Sequence, residues 1–183
     1  MESVRGGEPD SLAILFERHH RTLFRFFVHL TASPALAEDL AQEVFFRMLK
    51  FRRTWSPGGK FTPWMYQIAR NVHVDHLRRK AGTERPLSAE LEQRSWTLED
   101  PAPGADVRME RSSDMATLRR ALARLPVDKR EVLVMSRYQN LKYEEIAGIL
   151  GCEVGTVKQR VFRAVRQLSD IFFQLSNAGR KAI

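Results

Sequence analysis

A chain of 183 residues with 30 Lys and Arg against 22 Asp and Glu carries a formal net charge of +8, and its 43% apolar content suffices for one or two packed cores. The single cysteine, Cys152, excludes a disulfide framework and a cysteine-rich zinc module. No apolar run approaches the roughly 18 residues that span a bilayer, and the opening MESVRGGEPDS lacks the layout of a secretory leader, so a cytoplasmic protein with a polyanionic partner is expected.

In chain order, Leu12, Leu15, Phe16, Leu23, Phe26, Phe27 and Leu30 recur at helical spacing. Ser33-Pro34 then opens a second helix that runs to about Phe51, with Leu40, Val44 and Met48 as its apolar stripe. Trp55 to Lys60 is a turn-rich break, after which Phe61 to Lys80 is helical and ends in Arg78-Arg79-Lys80. From Thr83 to Asp114 eight acidic residues face four basic ones, and Pro86, Pro101, Pro103 and Gly104 interrupt any apolar period. This stretch reads as a linker of net charge −4, which leaves +12 on the flanking modules. The second module predicts four helices, near Ser113–Arg124, Asp128–Gln139, Tyr143–Leu150 and Val154–Phe173. No clean strand alternation occurs, so the expected class is all-α: residues 1–81 and 114–183 as two small helical domains, with 82–113 as the tether.

The strongest local signal lies between Tyr143 and Leu168. Ala147 lets two helices approach, Gly151 permits a turn that a Cβ would resist, and the second helix is rich in basic and amide groups, as a helix-turn-helix requires. Val154, Val157, Val161, Val165 and Leu168 form its expected core stripe; Thr156, Gln159, Arg160, Arg163 and Gln167 turn away. Gln and Arg can bond adenine and guanine edges in pairs, and a basic helix in the major groove gains phosphate contacts.

These residues resemble a known family. Leu125-Pro126, Lys129-Arg130-Glu131-Val132, Tyr143-Glu-Glu-Ile-Ala and Val154-Gly-Thr-Val-Lys resemble domain four of the extracytoplasmic-function (ECF) sigma factors, a group of the sigma-70 family of RNA polymerase subunits. Ala37-Glu-Asp-Leu-Ala-Gln-Glu-Val-Phe, Phe61-Thr-Pro-Trp-Met-Tyr-Gln-Ile-Ala-Arg-Asn71 and Asp75-His-Leu-Arg-Arg79 resemble its domain two. The resemblance implies a factor that binds core RNA polymerase through the β′ clamp helices and β flap and directs it to promoter DNA at −10 and −35 elements. It also implies an anti-sigma partner, in keeping with the lack of any sensor domain in this chain.

Residue roles follow from the same resemblance. The face bearing Asp39, Gln42, Glu43, Phe46 and Arg47 is similar to the surface that grips the clamp helices; periodicity alone says only that Phe46 is an apolar residue on a polar face. The Trp55–Lys60 loop and Asn71 are similar to the reader of the −10 element, with Trp55 as stacking wall, Asn71 for the base edge and Lys60 for the strand, and with Phe61 beside them. Trp64, in register with Ile68, is expected in the interior. Arg70, His73, His76, Arg78, Arg79 and Lys80 are expected on the DNA backbone. For the −35 element periodicity selects Thr156, Gln159, Arg160 and Arg163, whereas the family pattern selects Lys158, Gln159, Phe162 and Arg163; for Phe162 a core or edge position stays open. The acidic linker is similar to one that threads the product-RNA channel.

Catalysis finds no support in the sequence. Glu17-Arg-His-His20 is one Glu-x-x-His without the second that a di-iron bundle needs, His73 and His76 lack a third ligand, and no phosphate-cradling loop occurs, so neither a metal nor a cofactor is expected. The alternative function is an operator-binding helix-turn-helix regulator that works without core polymerase. It would call for a dimerising or sensing N-terminal domain, usually α/β, and the N-terminal half shows no strands.

Overall fold

A computed structural model describes residues 1–6, 10–82 and 105–180, and every regular element among them is helical. The expected linker therefore falls outside the described residues from Thr83 to Gly104.

The first module is a three-helix bundle with a short helix added. Helix α1 (Glu2–Gly6) precedes α2 (Asp10–Thr31), whose Leu23, Phe26, Phe27 and Leu30 sit at i, i+3, i+4 and i+7 and are fully buried. The chain reverses through Ala32, in the left-handed region at φ 53°, and Thr31 Oγ1 donates to the Phe27 carbonyl (2.8 Å). Ser33 then caps α3 (Pro34–Lys50), with Pro34 pre-set for the first helical turn. A single turn at Arg52–Thr54 leads to the loop before α4 (Phe61–Ala81). Met65, Tyr66, Ala69 and Val72 of α4 close the bundle over α2 and α3.

The second module begins at α5 (Ala105–Arg124), eight residues before the predicted start. Ala105-Asp-Val-Arg-Met-Glu-Arg has good helix formers and no Gly or Pro; a reading that took the acidic, proline-broken stretch from Thr83 to Asp114 as one unit masked that propensity. The predicted helix from Asp128 to Gln139 is α6 (Val127–Leu133) continued by a wide turn, Val134–Tyr138, in which Gln139 N–H reaches the Val134 carbonyl (3.0 Å). Helix α7 (Tyr143–Leu150) starts where Glu145 accepts from the Lys142 N–H (3.0 Å). It stops at Gly151, left-handed at φ 63°, ψ 41°, with the Cys152 N–H returning to the Ala147 carbonyl (3.1 Å). Helix α8 (Val154–Arg180) outruns its predicted end at Phe173.

One residue of the expected α8 stripe is corrected. Val157 and Val161 are buried, but Val165 is 43% exposed and Ala164 is buried instead. The stripe is centred between Val157 and Val161, and at 100° per residue Ala164 falls nearer that centre than Val165.

The two modules share one continuous core. Helix α2 lies against α5, α6 and the wide turn, and α4 lies against α7. Across this seam Tyr66 OH donates to Gln139 Oε1 (2.6 Å), Arg70 Nε donates to Glu131 Oε2 (3.2 Å), and the His29 ring lies tilted against Tyr138 with centroids 3.9 Å apart. The Arg130 guanidinium donates to the Leu30 carbonyl at the end of α2 and to the Ala123 and Leu125 carbonyls at the end of α5.

The two glycines of the helix-turn-helix give opposite predictions. Gly151→Ala places a Cβ in the left-handed region and should lower stability by about 1–2 kcal/mol in urea unfolding. Gly148→Ala, mid-helix with open space around the added Cβ, should raise it by about 0.5–1 kcal/mol.

Candidate nucleic-acid interface

The recognition helix presents the predicted residues outward. Lys158, Gln159, Arg160, Phe162 and Arg163 are exposed and Thr156 is half-buried. Phe162 is 69% exposed, which answers the question left open by the sequence: it is not a core residue. Gln167, also expected on this face, is tied down by Lys129, whose Nζ donates to Gln167 Oε1 (2.5 Å). The left-handed Gly151 sets the angle at which α8 leaves α7, and Val157 and Val161 pin its inner side, so the polar side faces out.

The loop before α4 departs from expectation in one residue. Lys60 and Asn71 are exposed and Phe61 is half-buried, but Trp55 is 7% exposed, so its indole is an interior group and not an open stacking wall. The sequence placed an aromatic in a turn-rich break and could not show that the chain folds it inward. Phe61 lies at the surface beside it, in contact with His19 (centroids 4.9 Å) on one side and Trp64 (6.2 Å) on the other. Trp64 packs partly buried against the core as expected, and its Nε1 donates to Thr54 Oγ1 (3.2 Å), which ties α4 to the turn preceding the loop.

Among the expected backbone contacts, Arg78 and Arg79 are exposed, and Arg70, His76 and Lys80 are half-buried. His73 is the correction: at 2% exposure it faces the interior, and burial first, then the nearby His76, Arg130 and Arg70 cations, push its pKa down to about 4. A neutral, buried imidazole offers no charge to a phosphate. Arg70 is held by Glu131, whose own carboxyl is pushed up by burial and drawn back by that guanidinium.

On α3, Asp39, Gln42 and Phe46 are exposed, Phe46 at 63%, and Glu43 is half-buried. Arg47 is half-buried and engaged within the module. Its Nε donates to Glu43 Oε1 (2.7 Å) and its NH1 to Asp75 Oδ2 (2.6 Å) on α4, and the hydrogen bond from Arg47 holds the Asp75 carboxyl below the usual range. Sequence reasoning missed Asp75, Glu131, Gln139 and Tyr66; their partners lie 28 to 73 residues away, beyond any periodic signal.

Comparison with known proteins agrees with this geometry. Residues 15–83 match the family model of sigma-70 region 2 and residues 115–168 that of sigma-70 region 4. The chain is 31% identical over 179 residues to the RNA polymerase sigma factor CarQ of Myxococcus xanthus, covering 96% of this chain and 97% of that protein. It is 30% identical to the ECF RNA polymerase sigma factor SigW of Bacillus subtilis, covering 93% and 96%. In fold it is similar to the sigma factor RpoE of Bartonella quintana, solved in complex with the anti-sigma factor NepR: TM-score 0.66, 23% identity, 88% of this chain and 96% of that one. The chain belongs to the sigma-70 family, in its ECF group, and is an alternative sigma factor that directs transcription initiation. The family is not one of enzymes, and no helix among the described residues is long and apolar enough to cross a membrane.

The buried imidazoles predict a pH dependence of stability. His73 and His29 both have folded pKa values of about 4 against 6.5 for the free side chain. The unfolded chain therefore binds more protons, and the stability present above pH 6.5 is lost as the pH falls toward 4, by up to about 1.4 kcal/mol per pH unit for each group. His73→Leu should flatten the urea midpoint between pH 6.5 and 4.5.

Proposed function

We propose that three faces of this chain act in sequence on polymerase and promoter. The α3 face of Asp39, Gln42, Glu43 and Phe46 docks on the β′ clamp helices, with Arg47 bracing it to Asp75. The edge formed by Lys60, Phe61, Asn71 and the basic end of α4, with Arg70, His76, Arg78, Arg79 and Lys80, engages the −10 element and its displaced strand. The exposed side of α8, with Thr156, Lys158, Gln159, Arg160, Phe162 and Arg163, reads the −35 element in the major groove. The observation that carries this reading is the outward, unobstructed α8 face in the same chain as an exposed Phe46. No catalytic step is assigned to the chain itself, and its place of action is the cytoplasm, with the polymerase. The operator-binding alternative gains nothing from the structure, because the N-terminal half is a helical region 2 and not a sensing domain.

The packed arrangement describes the factor away from its promoter. Elements centred about 25 base pairs apart are separated by about 85 Å of duplex. A packed chain of this length has a radius of gyration of about 16 Å and so measures about 40 Å across. Both elements can be read at once only if the seam between α4 and α6–α7 opens. Arg70 then exchanges Glu131 for phosphate, a like-for-like replacement of one anion by another. An anti-sigma partner would act by holding the seam closed.

The reading predicts specific initiation from a two-element promoter only when this chain and core polymerase are both present; tight binding to a palindrome without core would contradict it. Gln159→Ala and Arg163→Ala should each cost about 1–3 kcal/mol in binding at the −35 element. Unchanged promoter choice in both variants would show that another face of α8 meets DNA.

A further inference from the structure

Helix α1 lies outside the residues that match region 2, which begin at residue 15. Five residues have no helical stability of their own, so α1 exists because it packs. Val4 is 1% exposed and belongs to the same core as Phe26 and Tyr66, and Met1 is partly buried against that core. The helix rests on α2 and on the Arg52–Thr54 turn.

That turn is the entrance to the loop assigned above to the −10 element. Its shape is tightly specified: Arg52 NH1 donates to the Leu49 carbonyl (3.0 Å), and Thr54 Oγ1 donates to the Phe51 carbonyl (2.8 Å) while accepting from Trp64 Nε1 (3.2 Å). The next residue, Trp55, is drawn inward with its indole N–H buried and without an acceptor. The exit is a tight turn in which Gly59 N–H meets the Ser56 carbonyl (2.9 Å), and a Cβ on Gly59 would stand 2.9 Å from that oxygen. Lys60 and Phe61 follow directly. Both ends of the loop thus carry hydrogen bonds of their own, and the entrance in addition rests against α1.

We propose that α1, through Val4, is a positioning element for the −10-reading loop, setting where Trp55 to Lys60 stand relative to Phe61 and Asn71. This rests on the assignment of that loop to the −10 element. A reading surface must be held to within a fraction of an ångström by residues that do not touch the ligand, and α1, anchored in the core by Val4 and resting on the turn that opens the loop, stands in that relation to it.

The test uses full-length protein with core polymerase and scores strand opening by permanganate reactivity on promoters matched or mismatched at the −10 element, with the −35 element constant. Val4→Asp should reduce the matched-to-mismatched ratio by about tenfold, within the hundredfold that a misplacement of about 1 Å can cost. Val4→Ala should shift it less in the same direction, and Val4→Ile should restore it, while affinity for core and −35 discrimination stay at wild-type values. Gly59→Val distorts the loop from within and serves as an independent probe. If Gly59→Val shifts the ratio and neither Val4→Asp nor Val4→Ala does, the proposal is overturned and the loop assignment stands. If none shifts it, the loop assignment itself fails. Parallel losses in core affinity and −35 discrimination on Val4 substitution would mark a general loss of fold and also overturn the proposal.

Discussion

The arrangement of the described residues depends on one half-buried cation. Arg130 sits where the carboxyl ends of α2 and α5 converge, and its guanidinium gathers the Leu30, Ala123 and Leu125 carbonyls. Helix ends leave such carbonyls without partners and concentrate negative potential there, so a fixed five-donor cation is the complementary group. Burial alone would disfavour the charge; three carbonyl acceptors compensate. Through this residue the first module is tied to the second at the same point where α5 turns into α6. Glu131, the next residue, meets Arg70 of α4, so two adjacent side chains carry most of the polar contact across the seam.

The seam combines the continuous apolar core with a small set of polar and aromatic pairs. Tyr66–Gln139, His29–Tyr138 and Arg70–Glu131 are polar or aromatic pairs, each of which can be solvated when parted. The α3 face proposed to dock on polymerase and the α8 face proposed to read DNA are already exposed in the closed arrangement, whereas Arg70, on the edge proposed to meet DNA, is engaged. On that proposal, closure leaves docking on polymerase available while preventing simultaneous contact with two distant DNA elements. The division of labour among residues follows: Arg47 and Asp75 stiffen the first module, and Arg70 and Glu131 couple it to the second.

Much of this was legible in the sequence because the forces involved are periodic. The stripes of α2, α3 and α8, the cap at Ser33 and the turn at Gly151 each leave a local mark, and Gln159 and Arg163 stand out as amide and cation opposite an apolar stripe. The departures share a different cause. Trp55 is buried although it stands in a turn-rich loop, and His73 lies on the side of α4 where Arg130 and Arg70 come near. Arg47 finds Asp75 on a neighbouring helix, and the seam joins residues 61 and 73 positions apart. None of these is a property of a short window. Helix α1 is too short to show a period, and its helicity follows from packing that the sequence does not display.

The central claim is that a closed chain opens across the seam to reach two promoter elements. With Cys152 replaced by serine and cysteines introduced at the exposed Arg53 and Glu153, spin or dye labels report the distance between the modules directly. The account predicts a short, narrow distance distribution for the free chain and a shift to well beyond the roughly 40 Å span of the packed chain when core polymerase and a two-element promoter are added. An unchanged distance in an initiation-competent complex would contradict it.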